Sequence, residues 1–158
     1  MRVSAKADYA VRAVVELAAA SDSGRPTKGE ALATAQGIPV KFLENILADL
    51  RHAGIVRSQR GADGGYWINQ PAEDVSVADI IRAVEGPLAS VRGQRPEEVP
   101  YQGAAEPLQA VWIALRGAIR GVLEVTTVAD IAGAQLPPAV TQLAEDPDAW
   151  VTRRLGAR

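Results

Sequence analysis

The most informative segment of the chain is residues 39–69, which read PVKFLENILADLRHAGIVRSQRGADGGYWIN. Its first half repeats apolar residues at the three- and four-residue spacing of an α-helix: Phe42, Leu43, Ile46, Leu47 and Leu50. Gly54 ends this predicted helix. Two β-prone runs follow at residues 55–59 and 66–69, and the glycine-rich residues 60–65 between them suit a hairpin turn. The segment therefore predicts a helix followed by a β-hairpin.

Two further helices are predicted before this segment. Ser4 suits the N-cap of a helix that runs to about residue 20. Thr27 and Glu30 have the spacing of a capping box for a second, shorter helix, and Gly37 suits its C-terminal cap. Helix, short helix, turn, helix and hairpin in this order predict a winged helix-turn-helix domain. The predicted fold class is mainly α with a small β-hairpin.

The C-terminal half predicts a long dimerisation helix. Residues 87–105 hold three prolines and two glycines without apolar periodicity, so we expect a linker between a DNA-binding domain at residues 1–86 and dimerisation helices at residues 106–134. The long helix has an apolar stripe that a second copy of the chain would bury. The residues expected at this interface are Leu108, Val111, Trp112, Leu115, Ile119 and Val122. Residues 135–158, rich in Pro, Ala and Asp, are predicted to form a flexible tail.

Two shorter helices are predicted from their N-terminal caps. Ser76 precedes a helix that ends at Glu85 and Gly86. Thr127 and Asp130 have the spacing of a second capping box, which begins a short helix after the long amphipathic one.

Several of these segments resemble a known family of bacterial regulators. The residues that carry the resemblance are Arg2-x-Ser4-x-Lys6-x-Asp8-Tyr9-Ala10, Phe42-Leu43-Glu44-Asn45-Ile46-Leu47-x-x-Leu50, Ala53-Gly54-Ile55-Val56-x-Ser58-x-Arg60-Gly61, Gly64-Gly65-Tyr66 and Asp79-Ile80-Ile81-x-Ala83-Val84-Glu85-Gly86. As a set they look like winged-helix regulators of the IscR/NsrR type, the Rrf2 family, densely over residues 2–86 and loosely over residues 106–134. The resemblance implies a homodimeric, sequence-specific DNA-binding transcription factor whose long C-terminal helices form the dimer interface.

The chain departs from the sensory members of that family because it has no cysteine, and its one histidine is His52. Those members hold an iron–sulfur cluster through three cysteines in the segment that corresponds to residues 87–106 here. Since thiolates hold such clusters, we expect no cluster, and we predict no metal and no other cofactor. The lack of cysteine also excludes a disulfide framework and a thiol nucleophile. No carboxylate has a recognisable acid/base partner, so the sequence does not predict an enzyme.

Base contacts are predicted at the start of the helix over residues 39–53, because the second helix of a helix-turn-helix lies in the major groove. Lys41 can donate to guanine acceptors or to a phosphate, Glu44 can accept from cytosine N4, and Val40 can contact a thymine methyl group. Pro39 precedes them and is included among the DNA-binding candidates. The alternative for Lys41 and Glu44 is a solvated helix face.

Other DNA contacts are predicted at the wing and at two helix N-termini. Arg60 suits a narrow minor groove, which attracts guanidinium groups, and Gly61 and Gly64 would let the backbone approach phosphates. The candidate phosphate contacts near the helix starts are Arg2, Ser4, Lys6, Tyr9, Thr27 and Lys28. Each of these could instead be only a cap or an exposed surface residue.

The charge distribution leaves a second function open. Residues 1–70 carry nine Lys/Arg and seven Asp/Glu, while residues 71–158 carry eight and twelve, for a net charge of −2. The expected partners are double-stranded DNA, bound as a repressor at a pseudo-palindromic operator, and a second copy of the chain. A small-molecule or protein effector stays open. The small basic excess also allows a winged-helix module that binds a partner protein rather than DNA.

Neither a membrane span nor a signal peptide is predicted. The longest run without charge, residues 131–144, contains two prolines and is too short to cross a bilayer. Asp8, Arg12 and Glu16 interrupt the apolar N-terminal stretch. We therefore expect a cytoplasmic protein that makes no membrane contact.

Overall fold

The computed structural model describes residues 2–152, which form seven α-helices and one antiparallel hairpin. The helices are α1 (Ala5–Ala19), α2 (Gly29–Gln36), α3 (Val40–His52), α4 (Val77–Glu85), α5 (Leu108–Leu123), α6 (Val128–Ala132) and α7 (Pro138–Glu145). The strands are β1 (Val56–Gln59) and β2 (Gly65–Ile68), paired from Val56 opposite Ile68 to Gln59 opposite Gly65. This mainly helical fold with a two-stranded sheet confirms the predicted fold class.

Helix α1 is the central element of the core. The Ser4 hydroxyl caps it by accepting from the Ala7 N–H at 3.0 Å, as the sequence predicts. Its small buried residues let α2, α3, α4 and α6 pack closely around it. The largest fully buried side chains of the domain are Leu17, Leu32, Leu43, Ile46, Leu47, Leu50 and Ile80. At about 25 cal/mol per Å² of apolar surface, burial of such aliphatic side chains is the main stabilising contribution to this fold.

The start of α2 differs from the prediction. The predicted capping box of Thr27 and Glu30 is wrong, because the N-cap is Lys28 and no side chain caps the helix. Thr27 instead exchanges two backbone hydrogen bonds of 2.9 Å with Tyr66 and so extends the sheet edge next to β2. The close approach requires Gly65, where a Cβ would lie 2.6 Å from the Thr27 carbonyl oxygen. The C-terminal cap at Gly37 is confirmed, with φ of 63°.

The two other predicted caps are confirmed. Ser76 and Asp79 form a reciprocal capping box on α4, and Thr127 and Asp130 form one on α6. Burial raises the pKa of Asp79, but hydrogen bonds from Ser76 and the nearby Arg82 outweigh it and hold the pKa below its ordinary value. The Thr127 N–H and hydroxyl lower the pKa of Asp130. Both carboxylates therefore stabilise their helices as anions.

Helix α6 packs against the winged-helix core. Val128 is fully buried. Its N–H donates to the Val75 carbonyl at 2.9 Å, and the Val77 N–H donates to the Thr126 carbonyl, also at 2.9 Å. The end of residues 106–134, the segment predicted to hold the dimerisation helices, is therefore also packed on the winged-helix core.

Two segments predicted to be irregular are partly ordered. Residues 87–105 contain two 3₁₀ turns, Pro96–Glu98 and Gly103–Ala105, and bury Val99. Within residues 135–158, which are predicted to form a flexible tail, α7 begins at Pro138, because proline is compatible with the first turn of a helix. The described part of the tail has no buried residue, and residues 153–158 lie outside the described residues. Within residues 2–152 no helix is both long and apolar enough to cross a membrane.

Candidate nucleic-acid interface

Helix α3 buries one face and exposes the other. Its four fully buried residues, Leu43, Ile46, Leu47 and Leu50, fix the rotation of the helix on the core. The residues that remain exposed in its first two turns are Val40, Lys41, Phe42, Glu44 and Asn45. The three predicted base-contacting side chains therefore share the open face, and Pro39 is the N-cap that begins the helix.

Asn45 is a candidate that the sequence analysis missed. It lies four residues after Lys41, so the two side chains are neighbours on the exposed surface of α3. An amide group can bind adenine through two hydrogen bonds in the major groove. The four-residue spacing from Lys41 was the sequence signal that could have identified Asn45.

The wing projects beside the start of α2. Arg60 is exposed at the shoulder, and Gly61 makes the turn with φ of 108°. The Lys28 ammonium group donates to the Ala62 carbonyl, which ties the wing tip to the N-cap of α2. Arg57 stacks over Trp67 at 5.0 Å on the strands behind the tip. The wing therefore carries two arginines, of which the sequence analysis named only Arg60.

The N-termini of α2 and α3 meet the hairpin at one cleft. The cleft has a volume of about 200 Å³ and is bordered by Gly29, Glu30, Val40, Glu44 and Tyr66, among others. The structure therefore brings the helix-turn-helix and the hairpin onto one surface. We call the exposed first two turns of α3 together with residues 57–64, where the sequence predicts DNA contacts, the DNA-binding face.

Three residues predicted to contact phosphates make contacts between elements of the domain. The Lys6 ammonium group donates to the Val84 carbonyl at 2.7 Å and forms an ion pair with Asp49 of α3 at 2.8 Å. The Ser4 hydroxyl caps α1 and donates to the Glu85 carboxylate. The Tyr9 ring packs edge-on against Phe42, with 5.7 Å between the ring centroids.

Two more candidate phosphate contacts are Arg2 and Thr27. Arg2 lies away from the DNA-binding face, and Thr27 pairs with the hairpin through its main chain. Arg2 borders the apolar cavity between α1, α4 and α5 described below. Thr27 pairs with Tyr66 through its backbone, so its hydroxyl caps no helix. The structure thus places Val40, Lys41, Glu44, Lys28, Arg60, Gly61 and Gly64 at or beside the DNA-binding face and gives Ser4, Lys6 and Tyr9 contacts within the fold.

Helix α5 presents an apolar face that residues 2–152 do not bury. None of its residues is fully buried, and Val111 is 55% exposed. The predicted interface residues Leu108, Trp112, Leu115, Ile119 and Val122 are all partly exposed. Ile119 and Val122 border a cavity of about 680 Å³ together with Ile81 and Leu88. An apolar surface of this kind is typical of a protein–protein contact.

A second side of α5, adjacent to the apolar face, contacts residues 96–99. The Gln109 amide donates to the carbonyls of Pro96, Glu97 and Val99 at 3.4, 3.2 and 3.1 Å. Arg116 forms an ion pair with Glu97 at 2.5 Å. The buried Trp112 Nε1 has no hydrogen-bond partner within the described part of the chain. The helix is therefore fixed to the domain by polar contacts on one side and leaves its apolar side open.

Comparison with known proteins identifies the family. A family model described as Rrf2, an iron-dependent transcriptional regulator, matches residues 3–134. The chain belongs to the Rrf2 family. The family resemblance seen in the sequence is confirmed, and membership makes the chain a DNA-binding transcriptional regulator of the winged-helix type. The members of this family are transcriptional regulators rather than enzymes.

Individual relatives agree with this assignment. A protein of Mycobacterium tuberculosis H37Rv named as an HTH-type transcriptional regulator is 52% identical over 99% of this chain and 97% of its own length. The structure of CymR, the global cysteine regulator of Bacillus subtilis, matches with a TM-score of 0.71 and 32% identity over 85% of this chain and 98% of CymR. The structure of IscR from T. potens matches with a TM-score of 0.67 and 30% identity, covering 98% and 94% of the two chains.

The iron in the family description does not fit the residues of this chain. The chain has no cysteine. Within residues 2–152, no group of three or more Asp, Glu or His side chains is placed to hold a metal ion. These residues therefore do not provide a thiolate-held iron centre.

Proposed function

We propose that this Rrf2 regulator is a homodimeric repressor that binds a pseudo-palindromic operator in the cytoplasm. Each subunit places α3 in the major groove and the tip of the wing, residues 60–65, in the adjacent minor groove. The observation that carries the proposal is the DNA-binding face. The first two turns of α3 are open to solvent beside a wing that Lys28 ties to α2.

The bases are recognised by three exposed polar side chains of α3. Lys41 donates to guanine, Asn45 binds adenine and Glu44 accepts from cytosine N4. Glu44 contributes most to specificity, because a carboxylate near phosphates is unfavourable unless a base donor satisfies it. Val40 contacts a thymine methyl group.

The phosphates are bound mainly from the wing. Arg57 and Arg60 are exposed there, and Gly61 lets the backbone come close to the duplex. Lys28 keeps two N–H donors beyond its bond to the Ala62 carbonyl and lies at the same end of the face. These cations make the affinity fall steeply with salt concentration.

The second subunit covers the apolar face of α5. Pairing of two α5 helices would bury Val111, Leu115, Ile119 and Val122 at a two-fold axis. The two α3 helices would then lie about 34 Å apart, one turn of the duplex, as a palindromic operator requires. Support for this step comes from the exposure of the apolar stripe in a single chain.

Selection from a randomised pool of DNA duplexes at near-physiological salt tests the proposal. We expect enrichment of a two-fold-symmetric motif whose half-sites are one helical turn apart. The Lys41→Ala variant is the matched comparison. It removes one exposed contact and leaves the core intact, so it should fold like the wild type and bind the enriched motif more weakly. If the wild-type protein enriches no motif, the proposal fails.

A protein-binding module is the second candidate. The exposed apolar residues of the C-terminal segment favour it, since Leu143 is 57%, Val151 59% and Trp150 79% exposed. Such residues suit a protein contact. Two results together would support this candidate. The wild-type chain would enrich no DNA motif, and it would form a complex with a partner protein that the double variant Leu143→Asp, Trp150→Ala does not form.

A further inference from the structure

A cavity outside the DNA-binding face has a markedly basic lining. It has a volume of about 490 Å³ and lies between the C-terminal end of α4, residues 86–97 and α5. Its charged lining residues are Arg82, Arg95, Arg116, Arg120 and Glu97. Four guanidinium groups against one carboxylate contrast with the acidic balance of residues 71–158. The volume falls in the range of small-molecule sites.

The carboxylates around the cavity hold the arginines in place. Arg82 bonds Asp79 at 3.2 Å and also contacts Glu124, which lies 3.5 Å from Arg120. Each guanidinium has five N–H donors, and these contacts use only one or two of them. Because ion pairs already fix Arg82, Arg116 and Arg120, a ligand that uses their remaining donors would lose little of its affinity to ordering these three side chains.

The same surface already stabilises one oxyanion of the chain. The N–H of Glu97 itself and the Arg116 guanidinium, helped by the charge of Arg95, hold the pKa of Glu97 below its ordinary value. Glu97 is thus bound as an anion at the edge of the cavity. Pro87, Leu88 and Pro96 supply apolar lining beside the arginines.

We propose that this cavity binds a small organic phosphate. The guanidinium groups come from three directions, with Arg82 on α4, Arg95 on the connecting segment and Arg116 and Arg120 on α5. A tetrahedral phosphate presents terminal oxygens to all three directions, whereas a carboxylate accepts hydrogen bonds in one plane. The organic part of the ligand packs on Leu88 and the two prolines.

The position of the cavity suits an effector site, a role that rests on the proposed function. Arg82 lies on α4, and the Val84 carbonyl two residues later accepts from Lys6, which pairs with Asp49 of α3. A ligand that moves α4 would therefore act on the helix that contacts DNA. Binding of the ligand itself requires no DNA.

Isothermal titration of the full chain at constant ionic strength tests the proposal, with glycerol 3-phosphate as the probe. Succinate and glycerol serve as comparison ligands. We expect saturable binding of glycerol 3-phosphate, weaker binding of succinate and none of glycerol. The double variant Arg95→Gln, Arg120→Gln should bind the phosphate at least about tenfold more weakly, since each lost bond to a charged group contributes substantially. Both arginines are at least partly exposed, so this variant should fold.

The matched control is Arg92→Ala, which changes an exposed arginine on the same segment that does not line the cavity. It should bind glycerol 3-phosphate like the wild type. Absence of phosphate binding, tighter binding of succinate, or equal affinity in the double variant would each overturn the proposal. Because no DNA is present, these outcomes are independent of whether the chain selects an operator.

Discussion

Replacing Lys6 by alanine distinguishes a structural role of this residue from a DNA contact. The loss in the free energy of unfolding can be estimated from the contacts of its side chain. The variant loses the hydrogen bond to the Val84 carbonyl and the ion pair with Asp49. Both side chains of the pair are more than one-third exposed, at 36% and 40%, so the pair contributes less than about 1 kcal/mol. The charged hydrogen bond adds about 1 kcal/mol, below the range of about 1.5–3 kcal/mol for bonds to charged groups, because the site is partly solvated. We expect a total loss of about 1–2 kcal/mol in the free energy of unfolding.

Urea and thermal denaturation followed by circular dichroism measure this loss. For a domain of this size, about 1–2 kcal/mol lowers the melting temperature by roughly 2–8 °C. Operator affinity, measured by fluorescence anisotropy well below the melting temperature, should keep the wild-type salt dependence. The matched variant Lys41→Ala should do the opposite, because Lys41 is exposed on α3. It should change stability by less than about 0.5 kcal/mol and weaken operator binding.

The reverse pattern would contradict the structural role of Lys6. If Lys6→Ala leaves the unfolding free energy unchanged and lowers the salt slope by about one, Lys6 contacts a phosphate and its two intramolecular partners contribute nothing.

Three further predictions concern the wing, a helix cap and the dimer. Gly65→Ala should weaken operator binding and destabilise the domain by about 1–3 kcal/mol, because the new Cβ would lie 2.6 Å from the Thr27 carbonyl oxygen. Anisotropy and denaturation curves of the variant that match the wild type would show that the sheet edge tolerates the methyl group. The pKa of Asp79 is lowered in the folded state, so its stabilisation is present above the unfolded value of 3.8 and is lost as pH falls through the folded value. Chemical denaturation from pH 6 to pH 2 should show this loss, and a pH profile for Asp79→Asn as steep as the wild type would contradict it. Ile119→Asp should shift the protein to a monomer in sedimentation velocity, whereas the control Ala110→Asp, at an exposed position of α5 outside the apolar stripe, should leave it a dimer. If the Ile119→Asp protein is still a dimer, the interface lies elsewhere.

The winged-helix fold was predictable because its signals are local. The apolar spacing of Leu43, Ile46, Leu47 and Leu50 fixed the buried face of α3, and the glycines of residues 60–65 marked the hairpin. Ser76 and Thr127 showed their capping boxes directly in the sequence. Periodicity and caps depend on residues only a few positions apart.

Long-range contacts were not predictable in the same way. Thr27 has the spacing of a cap, but its backbone pairs with Tyr66, which lies 39 positions further along the chain. The two intramolecular contacts of Lys6 were not predictable, because nothing local shows that α4 and Asp49 lie beside it. The packing of Val128 in the winged-helix core depends on the same kind of tertiary contact.

Glu44 offers the sharpest test of base recognition by the open face of α3. Wild-type protein and the Glu44→Ala variant would each be selected against the same randomised duplex pool. We expect the wild type to enrich a two-fold-symmetric motif and the variant to lose preference at one base pair in each half-site, a discrimination of about 1–3 kcal/mol. Identical motifs from the two proteins would contradict the placement of Glu44 against the bases, and failure of the wild type to enrich any motif would contradict base recognition by α3.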